Sequence, residues 1–105
     1  MVDFLPEQLQ TRLTQAAPPV LLDVREPWEF QTCRIEGSIS MPMGHVAERI
    51  QDLDPETPVV VICHHGVRSM QVALYLERAG FTSVGNLRGG VAAWAREVDP
   101  KMPHY

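Results

Sequence analysis

The chain has 105 residues, 45% of them hydrophobic and 21% charged, with a formal net charge of −4. That length bounds one small domain, the composition is that of a globular protein, and the acidic balance argues against a nucleic-acid partner. No apolar run approaches the roughly 20 residues needed to cross a bilayer. Residues 1–6 lack a basic region followed by an apolar stretch, so a cytoplasmic protein with Cys33 and Cys63 both reduced is expected.

Residues 6–16 read as a first helix, because Leu5, Leu9 and Leu13 share a face and Pro6 suits the first turn. Ala17, Pro18 and Pro19 break it. Residues 20–24 are nearly all apolar, as in a strand buried on both faces. Pro27 opens a short helix. Residues 38–41 form a brief strand, and Val46, Ile50 and Leu53 line one face of a helix over 46–53. Residues 54–58 are a turn. Residues 59–62 are a central strand and residues 70–79 a helix, with Gly80 as its stop. A short strand surrounds Val84. Gly89 and Gly90 then make a tight turn into a last helix through Trp94, a core residue. Pro100 and Pro103 mark residues 99–105 as a loose tail. This alternation predicts an α/β domain with a central parallel sheet flanked by helices on both faces. Such sheets bind ligands at the carboxyl ends of their strands. Cys63, Asp23 and Arg25 therefore share a rim.

The chemistry concentrates between strand 59–62 and helix 70–79. Here Cys63, His64, His65, Gly66, Val67, Arg68 and Ser69 follow one another. A cysteine before a helix N-terminus meets free backbone N–H groups and a positive dipole end, which favour the nucleophilic thiolate. Arg68 adds positive charge if it points inward. Gly66 allows a turn with positive φ and leaves room for a second sulfur. Ser69 is expected to cap the helix, with its hydroxyl near a bound sulfur. His64 and His65 are read either as electrostatic and proton-handling groups or as solvent-exposed. Metal binding is not expected, since adjacent histidines point apart in most backbones. Asp23 is expected to accept loop hydrogen bonds, and Arg25 and Glu29 to pair as a salt bridge behind strand 20–24. Cys33 is read as a small space-filling residue and not as a resolving thiol. His45 and His104 are read as surface residues.

These segments together resemble the single-domain rhodanese family. The resemblance rests on Leu22-Asp-Val-Arg25-Glu-Pro-Trp-Glu29-Phe, Arg34-Ile-Glu-Gly37-Ser-Ile-Ser-Met-Pro42, Val60-Val-Ile-Cys63-His-His-Gly66-Val-Arg68-Ser69 and Leu87-Arg-Gly89-Gly90-Val-Ala-Ala-Trp94, in that order. It implies an α/β rhodanese-like fold and a sulfurtransferase without a cofactor. Such an enzyme moves a sulfane sulfur from a small-molecule or protein donor to cyanide or a thiol acceptor, through a persulfide on Cys63. It also implies a substrate-binding loop of residues 64–69, with Asp23, Arg25 and Glu29 in support. The six residues from Cys63 to Arg68 match sulfur-transfer members. Phosphatase-like relatives have one residue more, which disfavours a phosphatase or arsenate reductase. Two departures stand out. Cys33 and Arg34 replace the Gly-His that often precedes the Ile-x-Gly segment, and the loop has histidines where some thiosulfate-active members carry Arg or Lys. A donor other than thiosulfate remains open, as does a non-catalytic interaction module. No exposed apolar stripe commits the chain to a dimer, so oligomeric state stays open.

Overall fold

A computed structural model describes all of residues 1–105. Five strands form one parallel sheet in the order β1-β5-β4-β2-β3: β1 (Val2–Phe4), β2 (Val20–Asp23), β3 (Ile39–Ser40), β4 (Val59–Ile62) and β5 (Val84–Leu87). The helices are α1 (Pro6–Leu13), α2 (Pro27–Thr32), α3 (Val46–Arg49), α4 (Val67–Arg78) and α5 (Gly90–Glu97). The expected α/β class and parallel sheet are both present.

The strand period of two sorts the core into halves. Val59, Val61 and Cys63 join Leu22, Val24, Val72 and Leu76 in one cluster, under α3 and α4. Val60 and Ile62 join Leu21, Leu9, Val91 and Trp94 in the other, under α1 and α5. β4, hydrogen-bonded to β2 and β5, lies at the centre and is buried along its whole length. It therefore delivers the following residue, Cys63, to the middle of the carboxyl rim.

The structure departs from the sequence reading in several places. β1 was not anticipated: it is a three-residue edge strand, mostly exposed, with no alternation to mark it. It pairs with β5, bringing Asp3 opposite Asn86. α1 ends at Leu13, short of residue 16. The expected helix over 46–53 is only α3, extended by 3-10 turns at Met43–His45 and Ile50–Asp52. α4 begins at Val67, three residues early, because Gly66 takes the left-handed conformation (φ 96°) and caps it. At its other end Gly80 (φ +101°) provides the expected stop. Residues 99–105, read as a loose tail, fold back onto the rim. Met102 is buried in the second cluster, and the Tyr105 hydroxyl reaches Arg25 and Glu29.

Candidate functional site

Cys63 sits 1% exposed at the floor of the loop between β4 and α4. Its Sγ accepts a hydrogen bond from the Gly66 backbone N–H at 3.0 Å and lies 3.2 Å from Ser69 Oγ. Ser69 does not cap α4. It is the third residue of that helix, fully buried, so its hydroxyl turns inward to the sulfur and to Asn86 Oδ1. Val67 instead points out, 68% exposed.

The backbone of the loop is clamped by α5. The N–H groups of Val91 and Ala92 donate to the carbonyls of Cys63 and His64 at 2.9 and 3.0 Å. These are first-turn amides that have no partner within their own helix. The approach is so close that a Cβ on Gly90 (φ +62°) would run into both carbonyls.

Arg68 does not face the sulfur directly. It forms a two-pronged pair with Glu29, Nη1 to Oε1 at 2.7 Å and Nη2 to Oε2 at 2.9 Å. Hydrogen bonds from Arg68 outweigh the opposing effect of burial, and with the Glu26 amide they hold the Glu29 carboxyl down at about 2. The expected Arg25–Glu29 salt bridge is absent for a geometric reason. The Glu29 carboxylate bends back to accept the Glu26 N–H at 3.0 Å, at the start of α2, and there faces α4. The Arg25 guanidinium runs the other way and meets the backbone carbonyl of Glu29, at 3.2 Å, and not its carboxylate, together with the Cys33 carbonyl at 2.6 Å. Its counter-ion is Asp23, with contacts of 2.9 Å at Nε and 2.7 Å at Nη2. Asp23 also accepts the Arg25 backbone N–H, as anticipated for a loop-supporting carboxylate. Both side chains are 0% exposed. Burial opposes the Arg25 charge, but the hydrogen bonds it donates to Asp23 and Tyr105 outweigh it and the guanidinium stays firmly protonated.

His64 and His65 do not point apart. Their rings stack at 4.0 Å, and the other face of His64 stacks on Tyr105 at 4.1 Å. Burial first, then the neighbouring His65, pushes the His64 imidazole below its usual value, so it is neutral at neutral pH. The Tyr105 hydroxyl donates to Glu29 at 2.8 Å and accepts from Arg25 at 2.9 Å, and burial leads in raising it to about 12. Cys33 is buried in the second core cluster and Cys63 in the first, and both are free. His45 is exposed beside Glu48 at 3.3 Å, and Arg34 lies over the Phe30 ring. His104 is exposed and Trp94 buried, as expected.

The Gly66 amide and the Ser69 oxygen thus meet one sulfur, while the two ion pairs tie α2 to α4 and brace the loop after β2. Three contributors escaped the sequence reading. Tyr105 carried no signal, since its tail has no periodicity. Asp3 depends on the unforeseen β1. Asn86 did leave one: it is a polar residue inside a strand buried at every position, and such a group needs partners.

The Rhodanese-like domain family model matches residues 5–97. The chain belongs to the rhodanese-like family. A "Sulfurtransferase" of Allochromatium vinosum is 37% identical over 94 residues, covering 90% of this rhodanese-like chain and 88% of that protein. The "Thiosulfate sulfurtransferase GlpE" of Pseudomonas syringae is 38% identical, covering 85% of this chain and 82% of that one. Among solved structures, SSP1007 from Staphylococcus saprophyticus superimposes with a TM-score of 0.85 at 27% identity, over 99% of this chain and 100% of that one. Relatives so named, matched over most of their length, support a sulfurtransferase-type function for this rhodanese-like domain. No helix is long and apolar enough to cross a membrane.

Proposed function

We propose that this domain transfers sulfane sulfur through a persulfide on Cys63. The observation that carries the reading is the sulfur itself, held at the end of the central strand with the Gly66 N–H directed at it and Ser69 Oγ 3.2 Å away. In the first half-reaction the Cys63 thiolate attacks the outer sulfur of a donor such as thiosulfate. An Sγ–S bond forms, the donor S–S bond breaks, and sulfite leaves with the electron pair. In the second, cyanide or a thiolate attacks the outer sulfur of the persulfide. The electron pair returns to Sγ and thiocyanate, or the acceptor persulfide, departs. Neither step needs a cofactor.

The donor is less defined than the reaction. His64 is neutral and Arg68 is already paired with Glu29, so the loop offers little free positive charge to a dianion. A protein or low-molecular-weight persulfide therefore ranks beside thiosulfate as donor, and thiols beside cyanide as acceptors. A docking module without chemistry would have no use for a thiol here. The six-residue loop from Cys63 to Arg68 closes on a single sulfur, which disfavours phosphate or arsenate chemistry.

The test is an intact mass after incubation with thiosulfate, and separately with a protein persulfide. We expect a gain of one sulfur atom that is lost to cyanide as thiocyanate and is absent in Cys63→Ser. Loading by neither donor, or loading that persists in the serine variant, would overturn the assignment.

A further inference from the structure

Asn86, on β5, is 2% exposed beside the loop, and both ends of its amide are engaged. Its Nδ2 donates to Asp3 Oδ1 at 3.1 Å and lies 3.5 Å from the Gly66 carbonyl. A carbonyl oxygen only accepts, so the amide cannot be turned over: nitrogen must face Asp3 and Gly66, and Oδ1 must face Ser69. Ser69 Oγ donates to that Oδ1. A hydroxyl has one proton to give. With that proton committed to Asn86, Ser69 presents only lone pairs to Cys63 Sγ, 3.2 Å away. The contact is then an Sγ–H donating to Oγ.

We propose that Asn86 is a positioning residue that fixes the polarity of the Cys63–Ser69 hydrogen bond and so holds the resting cysteine as a thiol. Ionising Cys63 leaves two sets of lone pairs facing each other. The thiolate gains the serine as a donor only when the Ser69 hydroxyl swings away from Asn86. The chain Asp3–Asn86–Ser69–Cys63 thus ties formation of the nucleophile to a rotation of one hydroxyl. It also keeps the idle sulfur in its less oxidisable form. The other charged and titratable groups around this loop are Arg68 from α4, Glu29 from α2, His64 and His65 in the loop, Asp3 behind Asn86, and Tyr105 with Arg25 beyond them. Of these only Asp3 bonds Asn86, and its loss of that donor is the same with and without Ser69, so it cancels when the change is repeated in a Ser69→Ala background.

This inference rests on Cys63 as the reacting sulfur, but its test reads the thiol and not sulfur transfer, so the two readings fail separately. The experiment is iodoacetamide alkylation across pH, with peptide mapping to separate Cys63 from Cys33. The ratio of the Cys63 rate at neutral pH to its alkaline plateau reports the thiolate fraction and cancels differences in access. Asn86→Ala frees the serine proton, and the ratio should rise about tenfold, the effect of one added hydrogen bond to the anion. In a Ser69→Ala background the same change should leave the ratio where it was. A ratio that falls or stays constant in Asn86→Ala, or that rises equally without Ser69, would overturn the proposal. If circular dichroism shows that Asn86→Ala does not fold, Asn86→Val keeps more of the volume and has the same expected rise.

Discussion

Glu29 shows at the scale of one residue how partner choice sets behaviour. Its carboxylate accepts from Arg68, the Glu26 amide and Tyr105, with its side chain 5% exposed. Its folded-state value of about 2 lies below the ordinary 4.5. A depressed acid stabilises the fold above its unfolded value, and that contribution is lost as pH falls toward the folded one. Glu29→Gln should therefore be less stable than the parent at neutral pH. The difference should shrink between pH 4.5 and about 2, read from urea midpoints at several pH values. A gap that stays constant through that window would show that the ion pair contributes nothing. The sequence marked Glu29 as a supporting residue but paired it with Arg25. Chain proximity favoured that partner, whereas the direction of the side chain at the start of α2 decides the matter.

Among the elements, the N-terminus of α5 does more than turn the chain. Its first-turn amides bind the Cys63 and His64 carbonyls, and this contact requires Gly90. Gly90→Ala adds a positive-φ strain to a collision with backbone, and backbone cannot swing aside as a side chain can. We expect a loss of about 3 kcal/mol in urea unfolding, together with altered Cys63 alkylation, since the loop must shift to relieve the clash. An alanine variant of parental stability would mean that α5 does not hold the loop. The sequence showed Gly89-Gly90 as a turn. It did not show which backbone the turn would approach, because that backbone is more than twenty residues away and meets it only across the sheet. The early start of α4 has a similar origin. A glycine in the left-handed conformation capped the helix before Ser69, and the serine was left free to face the sulfur.

For the whole molecule, the sheet is a platform and residues 99–105 a strap across its rim. The strap inserts Met102, 6% exposed, into the core cluster that holds Cys33. It also stacks Tyr105 on His64 and bonds it to Arg25 and Glu29. Deleting residues 99–105 should cost at least about 2 kcal/mol through the loss of a buried methionine. It should also speed Cys33 alkylation in the folded protein, since local opening is easier where contacts are few. Met102→Ala separates the two effects: it should lose most of the stability while keeping the Tyr105 contacts. Unchanged Cys33 reactivity and stability in the deletion variant would show that the strap is ornamental.

The sequence by itself determined the α/β class, the central strand 59–62 and the cysteine at its end. Those features follow from local pattern: β-branched apolar runs, glycines at turns, and a thiol just before a helix. Only the tertiary structure decided who pairs with whom. Arg25 takes Asp23, Arg68 takes Glu29, Ser69 donates to Asn86, and Tyr105 closes over His64. The last three of these link groups from separate elements, and all are polar. Hydrophobic periodicity says where a side chain is buried, but a buried polar group is satisfied by whichever partner the packed fold brings within reach.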